Sequence, residues 1–118
     1  MAYFSPVVFT DKRLQPFAFE QIALTASAQT LTAATYNPST HVADGKAQAA
    51  LISFEDTAAT DIFRFTLDGT APVGGATGLG KGHMLANLDS VMIVGYMLIS
   101  KLQFIGANTG KISVTYFR

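Results

Sequence analysis

The chain has 118 residues, enough for one domain, and a domain of this size buries roughly 65% of the surface its unfolded chain exposes, so a core can form without staples. It has no cysteine, which excludes disulfides and thiolate metal sites, and its eight basic residues balance eight acidic ones, which argues against a general affinity for nucleic acid. Only 14% of the residues are charged and 49% are hydrophobic, so part of the surface is expected to be apolar and covered by partners.

The first residues, Met1 to Thr10, lack a basic start and are interrupted by Ser5 and Pro6, unlike a signal peptide. The apolar opening is followed by a charged patch, Thr10 to Arg13, and by Pro16. Residues 1–19 read as an extended arm that docks on its own domain or on a neighbour, or else as a first strand of the same sheet. Tyr3, Phe4, Val7, Val8 and Phe9 are its candidate contacts. Residues 20–118 read as one domain.

Glu20 to Thr25 alternates, with Ile22 and Leu24 on one face. Gln29 to Thr35 is a short Thr-rich segment, and Tyr36 to Thr40 is a turn because Asn37 precedes Pro38. After the turn signal Asp44-Gly45, Ala47 to Glu55 makes a strand with Ala50, Ile52 and Phe54 on one side. Ile62 to Leu67 is the clearest strand, with Phe63, Phe65 and Leu67 opposing Arg64 and Thr66. Gly69 to Gly82 is glycine-rich without apolar period and reads as a surface loop.

His83 to Leu88 returns to strand character. Val91 to Val94 does not alternate and reads as a strand buried on both faces. The apolar run Val91 to Ile99 is nine residues, too few to span a bilayer as a helix. Leu98 to Ile105 reads as a strand, Ala107 to Gly110 as a hairpin turn, and Ile112 to Phe117 as the closing strand. No helix is expected, because Ala26 to Ala34 lacks an apolar stripe and carries recurring β-branched Thr.

Chemistry-bearing patterns are sparse. Gly75 to Lys81 matches the spacing of a phosphate-binding loop, but that motif needs Ser or Thr next, then a helix; here Gly82 and a strand follow. His41 and His83 lack a second ligand at metal-binding spacing and are expected to face solvent. Glu55, Asp56 and Asp61 bracket one loop that has the oxygens, but no fixed geometry, for calcium. No serine sits in a nucleophile context. The residues therefore point to a protein that is not an enzyme and carries no metal or cofactor. Arg64 is the one charge in a strongly apolar strand; it either pairs with an acid such as Glu55 or reaches a neighbouring subunit.

The stretch Phe63-Arg-Phe-Thr-Leu-Asp-Gly-Thr-Ala-Pro72, with its glycine-rich continuation, resembles small virion proteins of tailed bacteriophages. Their pattern is an aromatic-flanked Arg strand, Asp-Gly-Thr-x-Pro, a glycine-containing loop, a strand opening with Gly, and a final aromatic pair. Gly82, Tyr116-Phe117 and the segments Ala23 to Thr25 and Leu31 to Ala33 fit it, whereas Val73 and Gly74 depart from it. The resemblance covers roughly Glu20 to Arg118. It implies an antiparallel β-sandwich, often jelly-roll-like, without catalysis. It also implies a decoration or cement protein on the capsid surface, with the major capsid protein as partner. Self-association is expected, with a trimer favoured; nucleic acid and membrane are not expected partners. The alternatives are a tail or head-fibre component and a carbohydrate-binding β-sandwich.

Overall fold

Alternating apolar and polar residues let a strand bury one face and wet the other, and this pattern organises most of the chain. The computed structural model describes residues 14–38, 45–58, 63–75 and 78–118. In chain order the elements are β1 (Pro16–Ala23), β2 (Gln29–Thr30), α1 (Ala33–Tyr36), β3 (Ala49–Asp56), β4 (Arg64–Thr66), β5 (His83–Met84), β6 (Ser90–Val94), α2 (Tyr96–Lys101), β7 (Gln103–Ile105) and β8 (Gly110–Phe117). The fold is mostly β. Its two four-stranded sheets are ordered β1-β8-β3-β6 and β2-β7-β4-β5, with antiparallel pairing throughout.

The core draws on both sheets. Ile52, Phe54, Ile93, Ile112, Val114 and Tyr116 come from the first; Phe65 and Phe104 come from the second, and Phe63 directly precedes β4. The Phe63 ring stacks on Phe54 with centroids 4.8 Å apart and lies 6.3 Å from Phe104. It therefore joins the two sheets, and full burial of such a ring contributes roughly 1.5–3 kcal/mol. Leu24, Leu31, Ile99 and Leu102 close the core at its margins.

The alternating segments form strands where expected. In β3, Ala50, Ile52 and Phe54 are buried while Leu51, Ser53 and Glu55 face outward. Phe63 and Phe65 are buried beside β4 as their spacing requires. β1 begins at Pro16, and Gln15 exchanges backbone hydrogen bonds with Arg118 at 2.9 and 3.0 Å. Residues 16–19, assigned to the arm on sequence, thus belong to the sheet. Tyr3, Phe4, Val7, Val8 and Phe9 lie outside the described residues, as do His41, Asp44, Asp61 and Ile62.

Four expectations need correction. Residues 96–101 are helical, not extended. Gly95, at φ 113°, breaks the preceding strand, and Met, Leu and Lys are good helix formers. Ile99 and Leu102, three apart, are the residues this turn buries. A second, single-turn helix, α1, follows β2, where a short Thr-rich segment and a turn, and no helix, were expected. β6 is not buried on both faces: Ile93 is buried, but Val91 and Met92 are half-buried and Val94 is exposed, and among the described residues the strand lies at the edge of its sheet. The turn at Ala107–Gly110 is not a hairpin, because β7 pairs with β2 and β4 while β8 pairs with β1 and β3. The chain there crosses from one sheet to the other.

Candidate functional site

The glycine-rich segment after β4 is built around Arg64. This side chain is 5% exposed. Its Nε donates to the Gly75 carbonyl at 3.0 Å and its Nη1 to the Gly82 carbonyl at 3.1 Å. Val73 and Lys81 pair across the loop, each N–H donating to the other's carbonyl at 3.0 and 2.9 Å. A Cβ at position 80 would lie 2.4 Å from Arg64 Nε and from the Val73 carbonyl, so only glycine fits there. At the loop's start, Thr70 donates from its hydroxyl and its N–H to Asp68 Oδ1 at 2.6 and 3.1 Å. These bonds, the hydroxyl first, hold the exposed Asp68 carboxyl below its usual range. Gln103 Nε2 donates to the Gly69 carbonyl at 2.7 Å, tying the turn to β7. The Asp-Gly-Thr signature and its arginine thus make one scaffold. It displays Val73 and Leu79, the latter 78% exposed.

Arg64, considered on sequence as a partner of Glu55 or of a neighbouring subunit, does not pair with Glu55. Glu55 lies in the other sheet and pairs with Lys111 at 3.4 Å. The guanidinium instead points inward and fixes its own loop. The phosphate-loop spacing from Gly75 to Lys81 lies in the same structure and is followed by β5, so no helix N-terminus meets it. His83 is exposed, its ring 5.4 Å from that of Phe65.

A cleft of about 430 Å³ is lined by Glu55, Asp56, Thr57, Asn87, Leu88, Thr109 and their neighbours. Asp56 is buried, and its Oδ1 accepts the Ala58 N–H at 2.8 Å and the Thr109 hydroxyl at 2.7 Å. Asn87 Oδ1 accepts the Asp56 N–H at 2.8 Å. Adjacent strand residues point to opposite faces, so Glu55 and Asp56 do not converge as a calcium pair; Asp61 is outside the described residues. Among the described residues no group of three or more His, Asp or Glu side chains is arranged for a metal ion. Beside the cleft Leu88 adopts φ 72°, a backbone region costly for a bulky side chain. It is held there by its N–H bond to the Phe54 carbonyl at 2.9 Å and is 64% exposed.

A tyrosine–carboxylate pair that sequence reasoning missed lies between β1 and β8. Tyr116 is fully buried and donates its hydroxyl to Glu20 Oε2, which also accepts the Thr32 N–H at 3.3 Å. Nothing local marks this pair, because the partners are 96 positions apart and meet only once the terminal strands align. Burial first, then the bond to Glu20 and its charge, pushes the Tyr116 phenol far above its ordinary value. Tyr36 is raised by burial, by Tyr96 and by Glu20. Unfolded tyrosine ionises near pH 10. Above that pH the unfolded chain sheds protons that the native state keeps. Stability is therefore expected to be intact below about pH 10 and to fall above it by about 1.4 kcal/mol per pH unit for Tyr116 alone. Denaturant unfolding measured from neutral to strongly basic pH checks this, and Tyr116→Phe should flatten the slope.

The outer face of the first sheet is uncovered among the described residues. One row across it is apolar, Phe19–Thr115–Leu51–Met92; the next is hydroxylic, Gln21–Ser113–Ser53–Ser90; the next carries the Glu55–Lys111 pair. Gln21 Nε2 donates to Ser113 Oγ at 3.1 Å, and the Ser53 and Ser90 hydroxyls bond at 2.9 Å. This arrangement offers surface for docking and places no nucleophile beside a base. No protein-family model, no curated protein and no solved structure matches the chain.

Proposed function

We propose that the chain is a structural virion protein of a tailed bacteriophage that decorates and cements the capsid, a jelly-roll-like β-sandwich acting as a homo-oligomer bound to the major capsid protein. The observation that carries this reading is the surface. In a chain with 14% charge, large apolar side chains stand exposed at Phe19, Leu79, Leu88, Val94 and Met97. The buried polar residues Arg64 and Asp56 are committed to fixing the loops that display some of them. In a chain so poor in charge, apolar side chains of this size standing in water are the ones a partner would cover. A protein of this kind bridges neighbouring coat subunits and adds contacts that must break before the shell opens. Because it binds only the assembled state, it stabilises that state by mass action. The Arg64-clamped loop and the segment 1–13 are the contacts assigned to the shell.

The test is co-sedimentation with intact shells of the phage whose genome encodes the chain. The full chain is expected to bind at a fixed ratio to coat subunits. A form lacking residues 1–13 keeps Gln15 and Pro16 paired to the last strand, so it is expected to fold and to lose shell binding. Unchanged occupancy by the shortened form removes the arm from the contact; failure of the full chain to bind overturns the shell reading. A second reading, a carbohydrate-binding β-sandwich module, draws on the cleft, whose lining includes Asn87, Asn108 and Lys111. Saturable binding in a glycan screen together with no binding to shells would favour it.

A further inference from the structure

β6 is an edge strand without the features that usually block edges. Its sheet order leaves one side without a strand among the described residues. Gly95 donates its N–H to Gln48 at 2.7 Å and Phe54 donates to Asp89 at 3.0 Å, which fixes the alternation with β3. Residues 89, 91, 93 and 95 therefore turn their backbone groups toward β3. Ser90, Met92 and Val94 turn theirs to the open side, where no backbone bond to another described residue meets them. Native edges are normally guarded by Lys, Pro or a bulge. From Ser90 to Ser100 there is no charged residue and no proline, and β6 pairs with β3 without a register shift.

We infer that the β6 edge pairs antiparallel with β6 of a second copy of this chain about a two-fold axis at Met92, joining two four-stranded sheets into one. The register follows from the alternation. With the axis at Met92, each outward-facing residue meets another: Met92 opposes Met92 of the second copy, and Ser90 opposes its Val94. In this geometry each opposed pair exchanges two hydrogen bonds.

Charge and apolar surface agree with the same register. Asp89 precedes the strand, and Lys46 stands at its other end, its Nζ 4.6 Å from the Tyr96 ring. Antiparallel pairing brings the acidic end of one copy to the basic end of the other, a complementarity that also selects direction. Leu88 at the first end, and Met97 and Leu98 at the second, are exposed in the single chain and come together across the axis. The contact is self-complementary, and a two-fold operation closes it, so it does not propagate into fibres. The inference does not depend on the shell reading; it applies equally to a fibre component or a free binding module.

Sedimentation equilibrium of the full chain tests it. The expected result at micromolar concentration is a reversible dimer, twice the 12.5 kDa chain mass. Met92→Lys places two ammonium groups opposite one another at the axis and is expected to raise the dissociation constant roughly tenfold or more. Val94→Pro removes an N–H that faces the open edge and none that bonds β3, and edge strands accept proline at such positions. It is expected to weaken the dimer while far-ultraviolet circular dichroism stays native, and it decides the matter if Met92→Lys fails to fold. A monomer throughout the micromolar range, or a dimer or trimer that folded forms of these variants leave intact, overturns the inference.

Discussion

Arg64→Ala is expected to lower unfolding free energy by about 3 kcal/mol, the range for losing charged hydrogen bonds and leaving buried acceptors unpaired. Two of those acceptors are the Gly75 and Gly82 carbonyls. The loss is expected to be local before it is global. Limited proteolysis should cut the variant between Gly69 and Gly82 at protease levels that leave the parent whole. Arg64→Lys is expected to recover little, because an ammonium lacks the planar fork that reaches both carbonyls. Urea unfolding combined with the cleavage pattern checks both parts. A variant as stable as the parent with an uncut loop would mean that the glycine-rich chain holds its shape unaided.

Phe63→Ala is expected to cost more, about 3–5 kcal/mol, as for other large aromatic truncations in cores. Phe63 is almost fully buried; it stacks on Phe54 at 4.8 Å and lies 6.2 Å from Phe65. Few neighbours can collapse into the space, since it is bounded by side chains from both sheets. At about 4–8 °C per kcal/mol for a small domain, the melting temperature should fall by about 12 °C or more. Phe63→Leu, which keeps much of the volume, should cost less than half as much. Thermal unfolding by circular dichroism reads both. Equal losses for Ala and Leu would show that ring stacking, and not volume, joins the sheets.

Much of the strand structure was legible, and for one reason. Where one face of a strand packs on the core and the other meets water, period two survives in the residue types, as at Ala50/Ile52/Phe54 and Ile112/Val114/Tyr116. It failed where a helix and a strand share residues. Leu98, Ser100, Leu102 and Phe104 alternate, yet Ile99 and Leu102 also fit one helical face, and the break at Gly95 decides for the helix. It failed again at β6. A run of Val, Met and Ile reads as buried on both faces, because composition does not report whether anything covers the outer face, and here Val94 is exposed. The crossing from β7 to β8 was invisible for a related reason: a short turn between two strands looks the same whether they pair with each other or with others.

The candidate surfaces were legible in smaller part. The Asp68-Gly69-Thr70 signature marked the turn, and Arg64 stood out as a charge among phenylalanines. Its inward direction was not readable, since its loop acceptors are backbone carbonyls that any sequence carries. Asp56 and Glu55 looked like a pair in sequence, but strand geometry sends them to opposite faces. Leu88 carried no warning, because a left-handed backbone is usually announced by Gly or Asn, and here it is occupied by a leucine.

The cement reading rests most directly on what the chain does to a shell. The measurement is the temperature at which purified shells open, followed by light scattering or dye access to the interior, with increasing amounts of the full chain added to shells that lack it. The expected result is a rise that saturates at a fixed ratio to coat subunits and is absent when the form lacking residues 1–13 is added. Shells that bind the chain yet open at an unchanged temperature would contradict a cementing role and leave the chain a passenger on the particle.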